Sequence, residues 1–141
     1  HASHGWAFVV SQGQGQEPLL VTEADMASLL QAKAAIAAGV TCLLQRAGVD
    51  SSRVTTVYLA GGFGFHMHID SLLGCGMLPG FRADQIDLVG NTSLAGAYLT
   101  LLDSSALREI RQLSHRLEIV ELNLAPQFEM IYIDQLSLPE A

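Results

Sequence analysis

Apolar positions in this chain fall into short runs whose period changes several times. Trp6 to Val10 (WAFVV) reads as a short strand, and Gln12 to Pro18 (QGQGQEP) as a polar turn. With Leu19 to Val21 as the return, the opening predicts a β-hairpin, a ribbon that needs more sheet beside it to be stable. Thr22 to Asp25 (TEAD) has capping-box spacing, and its acids suit the positive end of a helix dipole. Met26, Leu29, Leu30, Ile36, Ala37, Val40, Leu43 and Leu44 then recur close to a helical period, which predicts a long amphipathic helix. Ala34, Ala35, Ala37 and Ala38 allow another backbone to approach closely. Arg46 falls in the last turn, and Gly48 is a left-handed stop.

Beyond that helix the pattern alternates. Val54 to Ala60 (VTTVYLA) is β-branched and apolar almost throughout, as a buried parallel strand is, and Gly61, Gly62 and Gly64 follow it. Ile69 to Leu78 is helix-like and ends at Pro79 and Gly80; Ile86 to Val89 (IDLV) is a second short strand. Gly90, Asn91 and Thr92 turn the chain into a helix beginning near Ser93, and another runs from about Ser105 to His115. Leu117 to Leu122 (LEIVEL) is a third strand candidate, and Pro126 to Ile133 reads as a last short helix, with a strand over Glu129 to Ile133 as the alternative. Strands alternating with helices imply crossover connections, and so a mostly parallel sheet with flanking helices in an α/β fold. The length suits one domain over 1–141.

Composition narrows the function classes. Hydrophobic residues are 50% of the chain and charged ones 15%, enough for a core and too few charges for disorder. No unbroken apolar run reaches the ~18 residues of a membrane span, so no membrane is expected as a partner. The net charge of −7 argues against nucleic acid, which calls for clustered Lys and Arg. Cys42 and Cys75 lie far apart in apolar contexts and read as reduced thiols of a cytoplasmic protein rather than a disulfide framework.

Four places could carry chemistry. Ala60 to Gly64 (AGGFG) follows a buried strand, where open α/β sheets bind ligands, and glycines there let the backbone touch a ligand; a tight packed turn is the plainer reading. GGFG lacks the dinucleotide-binding spacing. Gly90 to Ala97 (GNTSLAGA) also follows a strand, and Asn91, Thr92 or Ser93 could cap the next helix while its free N–H groups meet an anion, or simply serve as a cap. Lys33, the only lysine, stands on the apolar side of the long helix, either snorkelling to solvent or lining a ligand cleft. His66, His68 and Cys75, with Asp70 nearby, are a weak candidate zinc set without a paired-cysteine motif. Ser71, Ser93, Asp103 and His115 have no triad spacing.

Taken together, TEADMASLLQAKAAIAAGVTCLL, VTTVYLAGGFG, IDSLLGCGMLPG and LVGNTSLAGA resemble the C-terminal region of the reductive activators of corrinoid proteins. The resemblance runs from about Gly5 to Ala97 and weakens beyond; it is the order of AKAAI, AGGFG and GNTSLAGA that is specific. It implies the C-terminal lobe of an actin-like (ribonuclease H-like) ATPase fold, in the acetate and sugar kinase, chaperone ATPase and actin superfamily. Leu59, Ala60, Gly61 and Gly62 match that superfamily's adenosine motif, and Lys33 matches the lysine of AKAAI on a helix facing the adenosine side. Gly64 belongs to the same turn, and Asn91, Thr92 and Ser93 match the GNTS turn, which would shape the cleft.

The implied parent uses ATP or ADP with Mg2+, carries an iron–sulfur cluster in an N-terminal ferredoxin-type domain, and reduces an inactive cobalt(II) corrinoid to cobalt(I). Its partner is a corrinoid protein or corrinoid methyltransferase, and a homodimer is one oligomer to expect. The chain departs from the family at His66 and His68, where polar or acidic residues stand, and it has neither a D-x-G phosphate hairpin nor the ferredoxin cysteines. It therefore reads as a lobe that does not hydrolyse ATP alone. The alternatives are an assembly module without nucleotide chemistry, or a small metal-binding domain.

Overall fold

A computed structural model describes residues 5–13, 17–62 and 66–139. The chain opens with the hairpin β1 (Ala7–Ser11) and β2 (Leu19–Thr22), paired antiparallel from Ala7 opposite Thr22 to Ser11 opposite Leu19, with a bulge near its turn. Thr22 is the N-cap of α1 (Glu23–Ala47): its hydroxyl accepts the Asp25 N–H at 3.2 Å while its own N–H donates to the Asp25 carboxylate at 2.9 Å. Gly48, at φ +63, ends the helix in the left-handed conformation, and the Val49 N–H reaches back to the Leu44 carbonyl.

The face that α1 buries differs from the predicted stripe. Lys33, Ala34, Ala37, Ala38, Gly39 and Cys42 are buried, whereas Leu29, Ile36 and Leu43 stay substantially exposed. Small side chains let α5 (Phe128–Asp134) come close to α1, so backbone proximity outweighs side-chain bulk. A Cβ on Gly39 would lie 3.2 Å from Leu122 Cδ1, in the turn Leu122–Leu124 just before α5. By length and composition α1 is also apolar enough to cross a membrane, a property that the core helix of a soluble protein can share. Here it packs against α5 and β2.

After a turn of 3-10 helix at Ser51–Arg53 comes β3 (Val57–Ala60), three residues shorter than the predicted strand. Val54 is drawn instead into a polar network: the Gln85 amide, 3% exposed, donates to the Ser51 carbonyl at 2.9 Å and to the Val54 carbonyl, and its oxygen accepts the Arg82 N–H. β4 (Ile86–Gly90) lies parallel to β3, with Val57 opposite Ile86 and Ala60 opposite Gly90. Between them stands α2 (Ile69–Gly74), which stops four residues before the predicted end because Gly76 turns left-handed. Leu72, Met77, Leu78 and Ile86 form the buried core, with Val40, Val57 and Leu59 against it.

α3 (Thr92–Leu102) and α4 (Ser104–Ser114) pack on each other as a helical hairpin. Leu117 to Leu122 is not a strand: among the described residues it has no strand partner, Ile119 is 86% exposed, and Arg46 of α1 holds Glu118 in a salt bridge. The final short helix forms as α5, so the strand alternative there falls. The fold is α/β, but the expected mostly parallel sheet is two separate two-stranded sheets among the described residues, one antiparallel and one parallel.

Candidate functional site

Strands β3 and β4 end side by side, and both of their carboxyl ends turn on left-handed glycines. Gly61 has φ +102 and Gly90 has φ +67. The Gly61 N–H donates to the Gly90 carbonyl at 2.7 Å, so the two predicted turns are joined to each other. Open α/β sheets place ligands at this kind of position. A Cβ built on Gly61 or Gly62 would meet nothing within 4 Å. Among the described residues no neighbour crowds the Cβ positions of Gly61 and Gly62, and Gly62 is exposed.

Opposite it, Asn91 caps α3, its side-chain oxygen accepting the Leu94 N–H at 3.0 Å. Thr92 and Ser93 are exposed in the first turn, beside the Gly61–Gly90 link. Helix N-termini leave N–H groups without intrahelical partners, so the start of α3 offers donors beside a glycine turn that carries no side chain at Gly61 or Gly62. Ala60 ends β3 and lines a cavity of about 130 Å3 with Leu59 and with Ile36 of α1. Gly64 lies outside the described residues.

Lys33 lies elsewhere in its contacts. It is 2% exposed, and its ammonium donates to the Gln135 carbonyl at 2.9 Å, the Gln135 side-chain oxygen at 3.2 Å and the Ser137 carbonyl at 2.9 Å. All three donors are engaged by the segment after α5. The lysine's place on an apolar face pointed to a need for partners, but nothing local signalled Gln135 and Ser137, more than a hundred residues away.

The zinc alternative is not assembled. Among the described residues no group of three or more His, Cys, Asp or Glu side chains is placed to hold a metal. Cys75 turns inward, its thiol donating to the Leu72 carbonyl at 3.2 Å, while His66 and His68 are exposed. Both cysteines are free thiols.

A family model described as the C-terminal domain of RACo, the ASKHA domain, matches residues 1–141. The chain is 26% identical over 127 residues to the corrinoid activation enzyme RamQ of Eubacterium limosum, a match covering 89% of this chain and 21% of RamQ. Among solved structures it is similar to a reductive activator for corrinoid, iron-sulfur protein, with a TM-score of 0.84 at 30% identity, over 95% of this chain and 22% of that one. The chain spans about a fifth of the length of these relatives.

Proposed function

This chain belongs to the family of RACo C-terminal ASKHA domains, and from that premise we propose that it supplies the adenosine-facing side of the nucleotide site in an ATP-dependent activator of corrinoid proteins. The observation that carries the proposal is the open Gly61–Gly62 turn at the carboxyl end of β3. A backbone without side chains presents a flat surface on which a purine nucleoside can lie. Asn91, Thr92 and Ser93 would border the nucleoside across the Gly61–Gly90 link and offer polar contacts to its ribose or phosphates.

The proposed division of labour follows from what the two joined turns contain. Phosphoryl transfer needs a metal and charge neutralisation at the γ-phosphate, and the described turns are built of glycines and small polar residues. ATP bound with Mg2+ would supply the free energy for electron transfer to the corrinoid, and this lobe's part is to hold the nucleoside end. Nor do the residues fit an iron–sulfur cluster, whose thiolate ligands are missing among the described residues, where the two thiols are inward or buried and no ligand cluster forms. The electron donor therefore belongs to another part of the activator. A corrinoid protein or corrinoid methyltransferase is the proposed partner of the whole, working in the cytoplasm.

Gly62→Val in the intact protein tests the reading. Gly62 lacks a left-handed φ and has free space at its Cβ position, so valine costs little in the fold but stands where the nucleoside would lie. ADP affinity by calorimetry is expected to fall at least about tenfold with an unchanged melting temperature. Unchanged affinity would place the nucleoside elsewhere. Gly61 is a poorer probe because any side chain at φ +102 is strained.

A second reading, an assembly module, is favoured by the exposed apolar residues of α3, including Leu94, Tyr98, Leu101 and Leu102. Gly62→Val separates the two, since assembly through α3 would survive the substitution.

A further inference from the structure

The proposed nucleotide contacts leave unused the most deeply buried charge in the described residues. Lys33 stands near the middle of α1, and every acceptor of its ammonium is neutral and belongs to the segment that follows α5. An ammonium held in a cage of oxygens keeps that cage closed, because its removal strands desolvated carbonyls.

A second feature grips the same segment independently. Gly76 has φ +78, and a Cβ there would lie 2.8 Å from Pro139 Cγ and 3.2 Å from Lys33 Cε. A glycine leaves the gap that the lysine stem and Pro139 share. A cavity of about 400 Å3, bordered by Lys33, Gly76, Pro79, Gln135 and Pro139, adjoins it. Three residues further along α1, Ile36 reaches the cavity lined by Leu59 and Ala60 at the end of β3. Residues three apart on a helix share a side, so fixing Lys33 also fixes α1 against that strand end.

We infer that Lys33 is a positioning residue rather than a ligand: with Gly76 it latches the strap Gln135–Pro139 across α1, and the latched strap holds α1 against the β3 turn. The latch stands on its own contacts, whereas its effect on the site rests on the nucleotide reading of that turn. The latch also explains how the lysine can match a family segment without reaching a nucleotide.

The test uses the intact protein and two variants that open the strap in different ways. Lys33→Met keeps the apolar stem and removes the ammonium; Gly76→Ala keeps the ammonium, drives a methyl group against Pro139 and the Lys33 stem, and adds the strain of a side chain at φ +78. Amide hydrogen exchange at Gln135 to Leu138 is expected to speed up at least about tenfold in both, with α1 still protected. Gln135→Ala, which removes a single acceptor, should give a smaller increase at the same amides. ADP titration of the same proteins should show both main variants weakened alike, and the double variant no weaker than either.

Unchanged exchange in Lys33→Met overturns the latch whatever ADP does. Affinity lost in Lys33→Met but kept in Gly76→Ala, with the strap released in both, makes Lys33 a ligand and overturns the positioning role. Faster exchange in a protein whose wild type binds no ADP upholds the latch and defeats the nucleotide reading.

Discussion

Single residues decide where the loops of this protein sit. Gln85 is the clearest case, a buried amide that joins the turn after α1 to the start of β4 through the Ser51 and Val54 carbonyls and the Arg82 N–H. Gln85→Ala leaves all three without their partner. At roughly 1–3 kcal/mol for each buried group left unsatisfied, with partial rescue by water, the expected loss is about 2–4 kcal/mol in urea unfolding. A loss below about 0.5 kcal/mol, the range of an ordinary surface change, would mean that the loop does not depend on this amide. Gly80 adds to the same corner: at φ +79 its missing Cβ would come 2.7 Å from the Ser51 hydroxyl. Neither role is visible in the sequence, because the Ser51 and Val54 carbonyls lie more than thirty residues from Gln85 and Ser51 lies far from Gly80.

Helices were more legible than strands. The Thr22–Asp25 capping box and the Gly48 stop both read directly from local spacing, and both form. Strands depend on distant partners, so Val54 of VTTVYLA goes to the Gln85 network, and LEIVEL pairs with no described strand. The glycine turns were legible as a candidate site, but the 2.7 Å link joining them follows from the parallel register, which no spacing reports.

A prediction at the scale of elements concerns α4, whose N-cap is Asp103. The Ser105 hydroxyl first, and then the Ser105 backbone N–H, hold the Asp103 carboxyl below its ordinary 3.8. A depressed folded value means that the unfolded chain binds the proton more readily. The cap therefore contributes fully above about pH 4 and fades as the pH falls through the depressed value. The protection factors of the amides in the first turn of α4, corrected for intrinsic exchange at each pH, should fall on acidification below about pH 4 in the wild type. In Asp103→Ala these protection factors should be low at every pH, and a pH response equal to the wild type's would assign the titration to another group.

For the whole molecule the telling quantity is surface. The chain exposes 10818 Å2, whereas a compact monomer of its 15.1 kDa mass would expose roughly 7,100 Å2. Much of the excess is apolar: Trp6 is 86% exposed and Leu101 is 84% exposed. A pair of two-stranded sheets is also less than water usually supports without more packing. These features agree with a lobe that spans about a fifth of its relatives' length. The 141-residue chain on its own should self-associate with rising concentration in sedimentation velocity, and Leu101→Glu should shift it toward monomer without lowering its melting temperature. A monodisperse monomer at all concentrations would show that the exposed face is tolerated as it stands.

The lysine inside α1 has one more effect, felt before the protein has folded. A nascent segment of 25 residues with this apolarity could be taken up by the membrane-insertion machinery. An ammonium near its midpoint adds about 2.5–3.5 kcal/mol to the cost of inserting such a segment, on biological insertion scales. In the packed chain that charge meets the Gln135 and Ser137 carbonyls instead, so one ammonium that burdens an inserted helix is accommodated in the folded one.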